Sequence, residues 1–222
     1  MNCIKRSCHR NNEGVCLLAC GDTQGAMMAF QDAIGGVKEL VDKCGEASSS
    51  SKMALAMTAE FANLQSATKL VNLRSEYTYI YDRPLHLYPP NDPSMICDSL
   101  LSFYSAGILF NLALASHLFG RTSGNERSIK RATVLYRMCL QLVQNCSDFG
   151  TAPRIMALLA LNNRAQIHYE YCDYLQSRHC LKEMSKMLAD SSFLQDSLSD
   201  SDVEGLLLNV MLTQVPTAAQ AA

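Results

Sequence analysis

Three times along this chain a small residue is followed by a bulky one and then a third residue at the i, i+4 and i+7 positions of one helix face. The middle occurrence is Ala132, Tyr136 and Cys139, in the second half of residues 105–142. The first half of that stretch, residues 105–119, carries Ile108, Leu109, Leu112, Leu114, Ala115 and Leu118 and no charge. A ring between two small residues lets a neighbouring helix approach closely while the ring fills the gap. Ala26, Phe30 and Ala33 repeat the pattern, and Ser177, Leu181 and Met184 repeat it with departures. Such faces need another helix over them, so the chain is predicted to be all-α and built from three helical hairpins.

The first hairpin is predicted over about residues 8–20 and 23–43, turning at Gly21-Asp22. The second needs a longer loop, residues 120–126. The third begins after Gly150, where Thr151 and Pro153 mark a helix start, turns at Cys172-Asp173 and ends near Leu188. A small residue stands late in each first helix: Gly14, Ala113 and Ala165. Residues 1–47 form the N-terminal hairpin in this scheme. Residues 48–75 form a linker or helix: four serines come first, then Met53, Met57, Phe61, Leu64, Thr68 and Val71 at helical spacing. Residues 76–222 form a helical domain with two hairpins, an acidic loop at 190–204 and a C-terminal segment.

One stretch breaks the helical pattern. Tyr77, Tyr79 and Tyr81 alternate with Thr78 and Ile80, the period of a strand, and Pro84 permits only an edge strand or an extended arm. An isolated strand leaves backbone groups unpaired. Residues 206–212 are apolar and show no helix cap to the eye, so the two stretches are predicted to pair as a small two-stranded β ribbon. The competing reading makes residues 206–212 a short helix capping the last repeat.

Hydrophobic residues are 48% and charged ones 18%, below the roughly 25% usual for soluble domains. That suits helices packed on several sides. The formal charge of −2 supplies no global basic field, so neither nucleic acid nor membrane is expected as a partner. The uncharged run 105–119 is shorter than the ~18 residues of a spanning helix. Residues 1–10 are polar, without a signal-peptide core. A cytoplasmic protein is expected, with the nucleus left open, and its ten cysteines read as free thiols.

The three units resemble the tetratricopeptide repeat (TPR), with Gly14, Ala113 and Ala165 at the small position of the first helix. Arg164 and Met184 in the third unit depart from it. More closely, residues 12–42 and 76–222 resemble a family of TPR-like proteins of unassigned activity, abundant in diatoms. The carriers are Tyr81-Asp82-Arg83-Pro84-Leu85, Leu109-Phe110-Asn111-Leu112-Ala113-Leu114-Ala115, Leu161-Asn162-Asn163 with Gln166-Ile167-His168, and residues 205–209. The resemblance implies a fold and no chemistry.

Candidate chemistry is sparse. Cys3, Cys8, His9, Cys16 and Cys20 could suggest zinc, but no Cys-x2-Cys pair is present, and plain thiols explain them better. His168 and Cys172 stand one turn apart near His179-Cys180, without a motif for an orienting partner or oxyanion site. Arg127, Lys130, Arg131 and Arg137 form a basic stripe that could meet phosphates but reads first as a solvated helix face. Ser197, Ser199 and Ser201 each have an acid three residues on, in Asp200, Asp202 and Glu204, as acid-directed phosphorylation would require. No cofactor is expected. The reading is a non-catalytic scaffold that binds another protein or an extended peptide. An enzyme or metal protein using the Cys/His residues is the alternative, and a nucleic-acid adaptor through the basic stripe a further one.

One recurrence points to a groove. Two residues before each small first-helix residue stands an asparagine: Asn12, Asn111 and Asn163. Asparagine is not a favoured helix-interior residue, and its amide can both donate to and accept from a peptide backbone. The TPR resemblance implies that these three face an extended ligand. The plainer reading weighs more: each amide bonds backbone or a neighbouring helix and holds the repeats in register, because buried polar groups are satisfied internally.

Overall fold

The computed structural model describes residues 2–44, 79–90, 97–146, 150–189 and 197–214. The helix expected around residues 53–71 lies outside them. The described residues form helices α1 (Asn2–Ala19), α2 (Thr23–Cys44), α3 (Asp98–Ser123), α4 (Glu126–Val143), α5 (Ala152–Glu170), α6 (Tyr174–Leu188) and α7 (Asp200–Gln214). Consecutive pairs α1/α2, α3/α4 and α5/α6 are hairpins, and α7 packs on α6 as a lone last helix. The protein is all-α, with no strand among the described residues.

The three tight turns share one construction. A residue with φ of 85° (Gly21), 67° (Gly124) or 59° (Cys172) ends the first helix. The next residue, Asp22, Asn125 or Asp173, caps the second helix through its side chain, accepting from Gly25, Ser128 and Gln176 N–H. At Cys172 the helix end is a full Schellman motif: Cys172 N–H donates to Tyr169 C=O and Asp173 N–H to His168 C=O. A side chain in the left-handed region costs roughly 1–2 kcal/mol. Cys172→Gly is therefore expected to raise stability by about 1 kcal/mol, read as a higher melting temperature. A lower one would mean that the cysteine's contacts outweigh the strain.

The small residues act where the helices cross. A Cβ at Gly14 would come within 2.6 Å of the buried Phe30 ring, and one at Gly120 within 2.6 Å of Ile129. One continuous core runs from Ile4 on α1 to Val210 on α7, so the hairpin of residues 1–47 shares its core with the helices that follow residue 97. Helix α3 is buried on nearly every side, as an all-round apolar helix should be. By length and composition it is long enough to cross a membrane. It exceeds residues 105–119 because it begins seven residues earlier, at Asp98, and continues past Phe119 to Ser123; the sequence is in fact uncharged from Ser99 to Gly120.

Several expectations need correction. Helix α1 starts at Asn2, a turn and a half before Cys8. Most of the expected loop at 120–126 is helical, extending α3 to Ser123. The β ribbon does not form: residues 206–212 lie within α7, where Leu206, Asn209 and Val210 are buried at i, i+3 and i+4. The cap overlooked there is Ser199, whose hydroxyl accepts from Asp202 N–H at 3.3 Å while the Asp202 carboxylate accepts from Ser199 N–H at 3.2 Å. This reciprocal pair is a capping box with Asp in the usual Glu position. Residues 200–204 of the expected acidic loop are thus the first turn of a helix.

Candidate functional site

Residues 79–90 contain no helix and run across the faces of α7, α5, α3 and α1, opposite to their order in the chain. Four asparagines, one per odd-numbered helix, hold this thread by its backbone. Asn209 on α7 accepts from Tyr79 N–H at 2.9 Å and donates to Tyr79 C=O at 2.6 Å. Asn163 on α5 does the same to Tyr81 at 2.9 and 2.7 Å. Asn111 on α3 takes Leu85 at 2.7 Å in both directions. Asn12 on α1 takes Leu87 at 2.9 Å in both.

The gripped residues are separated by even numbers, so the residues at each rung point the same way along extended backbone. An amide side chain carries one acceptor and one donor group side by side, which matches the N–H and C=O that one strand residue presents on one edge. The fold brings one asparagine from each hairpin, and one from α7, to the thread, and no side-chain identity on the thread is read by these bonds.

A second tier orients the first. Asn11 donates to Asn12 Oδ1 at 3.1 Å and to Leu85 C=O at 3.0 Å, and accepts from Asn111 at 2.9 Å. Asn162 donates to Asn163 Oδ1 at 3.1 Å and accepts from Asn209 at 2.6 Å. Asn163 also donates to the Tyr136 hydroxyl at 3.1 Å, which ties the ring of the second hairpin to the grip. Asn11, Asn111, Asn162 and Asn163 are completely buried. Such a network stabilises only when every member is satisfied, as these amides are.

The side chains of the thread fill the core. Ile80, Tyr81, Leu85 and Leu87 are buried. Leu87 lies over Gly107, and the Tyr79 ring lies so close to Gly205 that a Cβ there would fall 2.4 Å from it. Burial pushes the Tyr81 hydroxyl well above its ordinary pKa and raises the Asp82 carboxyl too. Between the second and third rungs Arg83 stacks 5.4 Å from the Tyr81 ring centroid and ion-pairs with Asp202, which also accepts from the Tyr79 hydroxyl at 2.6 Å.

The three asparagines singled out in the sequence therefore sit on one surface and bond extended backbone from both sides, and that backbone is the chain's own. Asn209, Asn11 and Asn162 were missed. Asn209 lacks the small residue two positions on, where Met211 stands; Asn11 and Asn162 were legible only as neighbours of Asn12 and Asn163.

The other candidates are scattered. Cys8 is buried and its thiol pushed up to about 12, while Cys16 and Cys20 are exposed. Among the described residues no three His, Cys, Asp or Glu converge as metal ligands would. His168 Nδ1 lies 3.0 Å from Asp173, and burial together with Arg164 lowers its pKa. Cys180 is buried on α6 and Cys172 is exposed at the turn. Arg127, Lys130, Arg131 and Arg137 are exposed on α4; Lys130 pairs with Glu126 and Arg131 lies beside the Gln31 side-chain amide. No family model, curated protein or solved structure matches the chain.

Proposed function

We propose that this chain is a non-catalytic scaffold of the tetratricopeptide type, able to bind an extended peptide or protein segment, whose groove is filled by its own residues 79–90. The two-sided asparagine grip on backbone carries this reading. It is a device for holding extended chain of varied sequence, and it moves no proton and activates no nucleophile. The close helix contacts at Gly14–Phe30 and Gly120–Ile129 support the repeat type.

The test is to free the thread without removing it. Protease sites inserted within residues 45–78 and 91–96 would leave the peptide held by non-covalent contacts alone. The expected result is that the cleaved peptide stays bound through gel filtration and exchanges slowly with added synthetic peptide of residues 77–90. A peptide that leaves a still-helical protein and does not rebind would end the reading. So would one that stays but never exchanges while the protein is folded, because it would then be a core element.

A further inference from the structure

The asparagine grip cannot by itself choose a register, since it reads only backbone, and something else must. The rungs hold residues 79, 81, 85 and 87. Shifting the thread to place 78, 80, 84 and 86 on the rungs puts Pro84, which has no N–H, opposite Asn111. Placing 81, 83, 87 and 89 there puts Pro89 opposite Asn12. Placing 80, 82, 86 and 88 there reverses every side chain and sends Asp82 to the buried site of Tyr81. Each of these shifts is blocked by a proline or by a buried charge.

The shift to 77, 79, 83 and 85 is different. It keeps the facing, meets no proline, and replaces tyrosine by tyrosine at the first two rungs and leucine by leucine at the last. Its conflicts are two charges: Arg83 would enter the completely buried Leu85 site beside Asn111, and Asp82 the buried Pro84 site. In the observed register Arg83 instead reaches Asp202, 7% exposed at the head of α7, and donates to the Ser199 hydroxyl at 3.1 Å. A charge forced into an apolar site without a partner is strongly disfavoured, whereas here it is paired.

We infer that Arg83 and Asp202 set the register of the groove, so that the segment it accepts must carry a basic residue two positions before its first rung leucine. This specificity rests on the observed grip and stands whether or not the groove takes a peptide in trans. Asp202 is a positioning residue: it selects where the backbone lies, and the asparagines hold it.

The experiment is amide exchange by NMR on full-length Asp82→Ala/Arg83→Leu, which removes both charges and fits the Pro84 and Leu85 sites. Asp82→Ala alone is expected to keep the native pattern, and a slipped pattern there would overturn the inference. In the slipped register Tyr79 and Leu85 remain on rungs, and Tyr81 and Leu87 leave them. The expected result is exchange about tenfold or more faster at Tyr81 and Leu87 with Tyr79 and Leu85 little changed. Leu87 is the diagnostic residue because it sits on α1, at the far end of the groove from Asp202. Faster exchange at all four rungs together would mean that the pair only adds stability, and no change would mean that it does nothing; either overturns the inference. Arg83→Lys keeps the charge and is expected to keep the native pattern, so a slipped pattern in that variant would overturn it as well.

Discussion

Replacing Asn163 by alanine should cost about 3–5 kcal/mol, because three buried groups lose their partner at once and each unsatisfied group costs about 1–3 kcal/mol. They are the Tyr81 N–H, the Tyr81 C=O and the Tyr136 hydroxyl. Asn163→Asp should be no milder. A carboxylate still accepts from Tyr81 N–H but turns an acceptor on Tyr81 C=O, and at this completely buried site it is charged or must take up a proton. Asn12→Ala should be far cheaper, about 1 kcal/mol, since Asn12 is only half-buried and water can replace it. Urea unfolding of the three variants checks the order. A loss below about 1 kcal/mol for Asn163→Ala would mean that the thread is held by side-chain burial, with the amides incidental.

Acid should weaken this protein through His117 before it reaches most carboxylates. The imidazole is completely buried on α3, neither ring nitrogen has a partner among the described residues, and the Tyr136 ring stands edge-on at 6.2 Å. Burial first, and then Arg121 one turn away, lower its pKa to about 3. The native state therefore stays neutral at this site while the unfolded chain takes up a proton near pH 6.5. The contribution of His117 is fully present above that value and is lost as pH falls toward 3, at up to about 1.4 kcal/mol per pH unit. Stability at pH 5 should be about 2 kcal/mol lower than at pH 7 from this group alone. The difference in unfolding free energy between the wild type and His117→Leu isolates it from other titrations. A difference that stays constant from pH 7 to pH 5 would show that His117 protonates in the folded state.

Much of this architecture could be read from residue spacing. The faces Ala26/Phe30/Ala33 and Ala132/Tyr136/Cys139 announced helix contacts, and the predicted hairpin turns fell within a few residues of Gly21, Gly124 and Cys172. The spacing to Gly14, Ala113 and Ala165 found three of the four rungs. What occupies the rungs was not legible, for a physical reason. The alternation of Tyr77, Tyr79 and Tyr81 announces extended backbone that needs partners, and the habitual partner of a strand is another strand. Here side-chain amides from helices take that part, and no periodicity in the thread distinguishes the two. The ribbon expectation failed at its other end too, where Ser199 and Asp202 looked like a modification motif and are a helix cap. The register pair Arg83–Asp202 joins residues whose proximity only the folded chain creates.

The thread also changes how a protein of this kind should come apart. In a plain stack of hairpins each unit touches only its neighbours, so stability adds up locally and the ends fray independently of the middle. Here residues 79–87 bond to α1, α3, α5 and α7, linking positions 75 residues apart at Asn12 and 130 apart at Asn209. Opening either end therefore strips a rung from the same strand that secures the other end. A row of semi-independent modules becomes one cooperative unit, tied lengthwise, in which the middle hairpins feel the loss of the first and last helices. The same tie makes folding wait on long-range closure: hairpins can form early from local contacts, but the thread can be fully seated only once α7, made after the other described helices, is in place.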